Sequence, residues 1–264
     1  MEQDFNPLSN LVADGGYTAI FRTIGVIGDS LSSGEHESTD EKGERGYHDY
    51  YEYSWGQFIA RKCGLTCYNF SKGGLTAKTF NDHEGEGKLF YLKNNPCQAY
   101  IIALGANDIT WCKSGAPFGS MDDVNFDDYE KNAESFVGQY VKIIQKIRAI
   151  EPKCRIFVVT MPKDFWEKSE PDIAEFREKH ADFLRSLTGI FEFLYVVDLR
   201  KYGAVYDEKF SEIYYCGGHL NAMGYKYTAD VISTYIDFII RNNYKDFSQV
   251  AFIGKGVHNF NEKW

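Results

Sequence analysis

Ser30 and His219 are the side chains in this chain whose types could cooperate in attack on a carbonyl carbon. A serine hydroxyl is a poor nucleophile at its own pKa and needs a base within hydrogen-bond reach. Histidine, which titrates near neutrality, is the natural base. Ser30 lies in Gly28-Asp29-Ser30-Leu31, and His219 in Gly217-Gly218-His219-Leu220-Asn221. Between them lie Asn69-Phe70-Ser71-Lys72-Gly73-Gly74 and Gly105-Ala106-Asn107-Asp108. Taken singly, these blocks read as a turn, a glycine corner, a helix cap and a packing histidine. Taken together they read as a site, because three directly follow predicted strands and the fourth leads into the last helix. Ligands of open parallel sheets bind outside the carboxyl ends of the strands.

The elements that must position these blocks are legible. Five short apolar runs, at 23–27, 66–70, 99–104, 155–160 and 194–198, alternate with helical patterns, which predicts a parallel sheet covered on both faces. Apolar residues recur at helical spacing from Tyr129 to Ile147, with Asn125 as the expected N-cap and Pro152 as the stop. A second helix is expected from Ser169 as cap, with Pro171 in its first turn and Gly189 at its end. A last helix is expected over 222–243. This is one doubly wound α/β domain with a core over about 23–243 and a strap at each end. Residues 35–53 and 111–125 break the rhythm. Irregular segments of that length are usually functional loops.

Composition narrows the function classes. Of 264 residues, 44% are hydrophobic and 25% charged, as in a globular protein, and 29 Lys plus Arg against 38 Asp plus Glu leave a net charge of −9. That balance argues against nucleic acid or an anionic membrane as partner. The N-terminus lacks the basic segment and apolar run of a secretory signal, so a cytoplasmic location is expected. The six cysteines have no Cys-x-x-Cys spacing, which argues against a zinc site or a disulfide framework. Neither of the phosphate-binding glycine motifs G-x-x-x-x-G-K-[ST] and G-x-G-x-x-G occurs, so nucleotide binding has no support in the sequence.

The four ordered blocks resemble the SGNH hydrolases, also called GDSL esterases/lipases, over about residues 23–240. The resemblance implies a flavodoxin-like three-layer α/β/α sandwich with a five-stranded parallel sheet. It implies ester hydrolysis through an acyl-enzyme, with Ser30 as nucleophile and His219 as base; no metal-ligand cluster accompanies the four blocks, so neither cofactor nor metal is expected. The glycine of its second block maps to Gly74, with Gly73 as the alternative. An oxyanion needs preorganised donors, and the Ser30 and Gly74 backbone N–H groups with the Asn107 amide are the matching set. Asp29 and Asp108 are expected to organise their loops.

One position departs from the family pattern. The Asp expected three residues before the histidine is Cys216, which can neither hold the other ring N–H as a carboxylate would nor stabilise an imidazolium by charge. Asp207, Glu208 and Glu212 lie just upstream and could supply that carboxylate. The alternative adopted is a Ser-His dyad oriented by a backbone carbonyl, with Cys216 a buried thiol rather than a rival nucleophile. Two further groups with ligand-type side chains, Asp82-His83-Glu84 and His48-Asp49, lack a metal spacing and read as solvated loops.

The substrate reading rests on aromatics. Tyr47, Tyr50, Tyr51 and Tyr53 lie in the first irregular segment, Trp111 and Phe118 in the second, and Phe165 and Trp166 after the fourth strand; Trp55 is expected in the core. Tyr and Trp on loops offer flat faces with a polar edge. This suits a small ester, with a short-acyl carbohydrate esterase as the leading expectation. The rivals are a lysophospholipase or thioesterase and a degenerate, carbohydrate-binding member. A flavodoxin-like cofactor binder is a further alternative, for which a yellow preparation would be the sign. Composition and motifs leave the oligomeric state open.

Overall fold

The computed structural model describes residues 6–82, 92–94 and 96–255. In chain order the first half runs β1 (Thr23–Gly28), α1 (Ser30–Ser33), β2 (Glu35–Thr39), β3 (Arg45–Asp49), α2 (Trp55–Cys63), β4 (Thr66–Asn69), α3 (Ala77–Asn81), β5 (Ala99–Ala103) and α4 (Ala106–Lys113). The second half runs α5 (Phe136–Ile150), β6 (Arg155–Val159), α6 (Pro171–Ser186), β7 (Leu194–Val197), α7 (Leu199–Tyr202), α8 (Glu208–Tyr214), β8 (Tyr215–Cys216), β9 (His219–Leu220), α9 (Ala222–Asn242) and α10 (Tyr244–Phe247). Short 3-10 turns lie between several of them.

The five apolar runs form one all-parallel sheet in the order β4-β1-β5-β6-β7. Numbered within the sheet this is 2-1-3-4-5, the flavodoxin-like order, in which the chain reverses direction of winding beside its first strand. Every residue of β6 is buried, as are Ala99 to Ile102 of β5. Consecutive burial means that both faces of the central strands are covered, which is why these runs are mostly apolar rather than alternating, with Arg155 at the start of β6 as a polar exception. Helix α9 packs on α2, and α3 on α5.

Three expectations are corrected locally. The helix expected from Asn125 begins at Phe136, capped by Ser135, whose hydroxyl accepts the Gly138 N–H at 3.0 Å. Asn125 spends its own carboxamide oxygen on Asp127 and Asp128 N–H in a local turn, which competes with helix entry. Ser169 donates its hydroxyl to the Trp166 carbonyl, and α6 starts instead with Pro171, whose missing N–H costs nothing in a first turn. The irregular segment 35–53 contains an antiparallel hairpin, β2 paired with β3, in register Glu35↔Asp49 and Glu37↔Tyr47. Its reversal is built by Asp40, whose carboxylate accepts the Lys42 and Glu44 N–H groups.

Trp55 is buried, as expected. The segment after Phe247 crosses back over the sheet's start, where Gln98 and Arg22 donate to the Val250 and Ala251 carbonyls. Among the described residues no helix is long and apolar enough to cross a membrane.

Candidate active site

Ser30 opens α1 directly after β1. Asp29 caps that turn, its carboxylate accepting the Leu31 N–H at 3.0 Å, and Gly34 closes it in a left-handed conformation. Asp29 is buried, and burial pushes its pKa up to about 6 against the pull of that N–H and of His219 nearby. The loop after β4 is tied to this turn by Asn69, which donates to the Ser32 carbonyl at 2.8 Å. Gly74 in that loop has φ 77°, a conformation only glycine adopts without strain. Among the described residues, neither the Ser30 nor the Gly74 backbone N–H has a hydrogen-bond partner.

The loop after β5 is held against the loop after β4 by two bonds from adjacent residues. Asn107 Nδ2 donates to the Leu75 carbonyl at 3.1 Å, and Asp108 Oδ1 accepts the Ala77 N–H at 2.9 Å. The second hydrogen of the Asn107 amide stays available. Asp108 is fully buried, its Oδ2 has no partner among the described residues, and burial with the charge of Asp29 raises its pKa to about 7. Gly105, with φ 142°, lets this loop pass His180: a Cβ there would lie 2.7 Å from His180 Nε2. His180 is buried and donates from Nε2 to the Leu104 carbonyl at 3.0 Å, and burial lowers its pKa to about 4. Sequence reasoning passed over this histidine, because its place behind Gly105 is set by the packing of α6 against the loop after β5 and has no local sequence signal.

His219 arrives on β9, a two-residue strand paired with β8. Its ring lies between two carboxylates from one strand. Nδ1 is 2.7 Å from Glu37 Oε1, and Nε2 is 3.0 Å from Glu35 Oε1. No hydrogen bond joins Ser30 to His219. The two neighbourhoods are nonetheless contiguous: the Tyr225 hydroxyl bonds both the Ser30 and the Glu35 carbonyls, at 3.4 and 2.6 Å. Glu35 also reaches the loop after β4, where a Cβ on Gly73 would lie 2.3 Å from its Oε2.

The upstream acids do not meet the ring. Asp207 caps α8 by accepting the Phe210 N–H, while Glu208 and Glu212 line a separate groove with Phe165. None of the three is bonded to His219. Neither Glu35 nor Glu37 was singled out from sequence, because both lie in a polar stretch with no apolar alternation to announce a strand. Cys216, expected to be buried, is exposed, and its Sγ faces the Glu37 carbonyl at 3.6 Å. Of the remaining ligand-type residues, His48 bonds Ser38, Asp49 accepts from the Ser33 hydroxyl and Asp82 pairs with Lys78. His83 and Glu84 lie outside the described residues.

Tyr47 stands edge-on to His219 with ring centroids 5.9 Å apart, and it is exposed, as are Tyr50, Tyr51, Tyr53 and Trp166. Phe118 is withdrawn from the surface set: its ring packs among Phe136, Phe176 and Phe183. A cavity of about 140 Å³ lies beside the strand ends, lined by Leu31, Ala106, Met161, Tyr206, Tyr215 and Leu220 among others. Leu31, Ala106 and Leu220 are the chain neighbours of Ser30, Asn107 and His219.

The five-stranded parallel sheet and the profile match together place the chain in a family. The chain belongs to the GDSL-like Lipase/Acylhydrolase family, whose profile matches residues 26–227. Among solved structures it is similar to a family two carbohydrate esterase from Clostridium thermocellum in complex with cellohexaose, at 17% identity and a TM-score of 0.56. That match covers 85% of this chain but 65% of the Clostridium protein, so this chain spans less than two thirds of its length. It is also similar to a possible lipase from Chitinophaga pinensis (20% identity, TM-score 0.54, 84% of this chain and 98% of that one). A carbohydrate acetylesterase from Sinorhizobium meliloti matches at 17% identity and a TM-score of 0.53, over 83% of this chain and 99% of that one. At these identities the likeness is one of fold. No curated protein matches the chain in sequence.

Proposed function

We propose that the chain is a serine esterase that removes short acyl groups from a polar alcohol such as an O-acetylated carbohydrate. Ser30 Oγ attacks the ester carbonyl carbon while His219 Nε2 takes its proton, Glu35 having withdrawn from that nitrogen. The oxyanion is received by the Ser30 and Gly74 N–H groups and the Asn107 amide, donors fixed before the charge develops. Collapse breaks the ester C–O bond, and the alcohol leaves with the proton from His219. Water, deprotonated by the same ring, then attacks the acyl-enzyme and releases the carboxylic acid and free Ser30.

The observation that carries this reading is the pair of bonds from Asn107 and Asp108 to the loop after β4. They hold an uncharged amide donor beside a glycine N–H that no described residue occupies, next to the turn that presents Ser30. A cavity of about 140 Å³, lined by the chain neighbours of Ser30, Asn107 and His219, is in keeping with a short acyl group. Exposed Tyr47 at the ring of His219, with the carbohydrate esterases among the similar folds, supports a sugar alcohol.

The occupied Nε2 favours one rival, a carbohydrate-binding member that no longer hydrolyses. A p-nitrophenyl ester series from acetate to palmitate, on wild type and Ser30→Ala, separates the two. Hydrolysis fastest on acetate and abolished in Ser30→Ala is expected, with a fluorophosphonate labelling Ser30. No turnover of any ester, with retained binding of a cello-oligosaccharide, would establish the rival.

A further inference from the structure

We propose that Glu37, delivered by the β2–β3 hairpin, is the positioning acid of His219 and replaces the carboxylate missing at Cys216. The inference rests on the serine-esterase reading above. A histidine that takes a proton from serine on one nitrogen needs its other N–H held by a group that fixes the tautomer and stabilises the imidazolium as it forms. Cys216 stands where the family places that group, yet its exposed thiol faces a backbone carbonyl rather than the ring.

Glu37 meets each requirement. Its Oε1 lies 2.7 Å from His219 Nδ1 and accepts the Gly218 N–H at the same distance. Its side chain is only 6% exposed, and Arg45 lies 3.9 Å from its Oε2. Burial by itself would raise its pKa, but the bonds from His219 and Gly218 outweigh this and hold it below the ordinary value. The group is therefore an anion near neutral pH, an acceptor with no proton to give.

The local backbone is shaped around this carboxylate. A Cβ on Gly217 would lie 2.1 Å from Glu37 Oε2, and one on Gly218 would lie 2.8 Å from Oε1. Gly217 also has φ 73°. The Gly-Gly pair before the histidine is thus the cradle that admits an acid from another part of the chain. Register completes the arrangement, since Glu37 pairs across the hairpin with Tyr47, whose ring abuts the same imidazole. Glu35 is unsuited to the role, because it occupies the nitrogen that must receive the serine proton.

The test is kinetic and spectroscopic. In Glu37→Gln, kcat on p-nitrophenyl acetate should fall by about 10²–10⁴-fold with KM changed by less than about threefold, the pattern of a lost transition-state interaction. Glu212→Gln and Cys216→Ala should remain near wild type. Wild type should show a far-downfield, slowly exchanging proton assigned to His219 Nδ1, which Glu37→Gln loses. A natively folded Glu37→Gln within about threefold of wild-type kcat would overturn the proposal. Should that variant not fold, absence of the downfield proton from wild type at every pH would overturn it equally. Ser30→Ala run in parallel separates the two failures: full activity there removes the serine-esterase reading itself, whereas full activity in Glu37→Gln alone removes only the role of Glu37.

Discussion

Glu35 Oε1 lies 3.0 Å from His219 Nε2, on the nitrogen that a serine nucleophile would use. Glu35 and Glu37 are two residues apart on β2 and so project from the same face of the strand, which is how one strand grips both sides of one ring. An ionised carboxylate only accepts. With Glu37 on Nδ1, the contact at Nε2 requires a proton on that nitrogen or on Glu35 itself. Burial, reinforced by the charges of Asp49 and Glu37, raises the pKa of Glu35 despite the pull of His219. In either protonation state Nε2 is not free to act as a base. The observed arrangement is a closed one.

Removing the competitor should therefore open the site. We expect Glu35→Ala to accelerate modification of Ser30 by a fluorophosphonate by about tenfold, the worth of a weak charge-assisted hydrogen bond. The rate of covalent labelling, followed by intact mass, measures this directly. Slower labelling in the variant would show that Glu35 assists the nucleophile instead of blocking its base.

Asp108 should give a pH-dependent stability of definite sign. Its pKa is 3.8 in an ordinary setting and about 7 in the fold. The folded state therefore holds a proton that the unfolded chain has already released. Its contribution is full below the lower value and is lost as pH rises through the upper one. Asp108→Asn keeps an oxygen for the Ala77 N–H and cannot ionise. The melting temperature of the variant relative to wild type should rise between about pH 5 and about pH 8. A constant difference across that range would mean that Asp108 is ionised throughout.

Gly105→Ala should destabilise the fold by about 1–3 kcal/mol, through strain at a positive φ and overpacking against a buried ring. The new methyl would meet His180, whose Nε2 is already committed to the Leu104 carbonyl and whose ring packs on Phe136 and Tyr140. Because α4 starts at the next residue and carries Asn107, esterase activity should fall as well. Urea midpoints measure the first effect. An unchanged midpoint would show that His180 can yield, and that the loop after β5 is held by Asn107 and Asp108 alone.

The primary sequence by itself determined the sheet and the strand-end blocks. Short apolar runs such as 99–104 and 155–160 have no polar face to present, so they must be buried on both sides, and Ser30 and Asn107 follow from where those runs stop. Segment ends were less legible. Asn125 and Ser135 are both competent caps, and the choice between them turned on which backbone N–H groups the neighbouring turns had already consumed. The histidine's partner was not legible at all. Glu37 is 182 residues from His219 and lies in Glu35-His36-Glu37-Ser38-Thr39, a stretch polar on both faces, which gives no periodicity to distinguish strand from loop. Local sequence pointed to Asp207, Glu208 and Glu212 because they are near in the chain. Tertiary structure chose Glu37 because the hairpin folds back beside α1 and β9, where Gly217 and Gly218 leave room for a carboxylate. Proximity in a folded chain is set by which backbone segments pair, and a polar strand carries no hydrophobic signal of its partner.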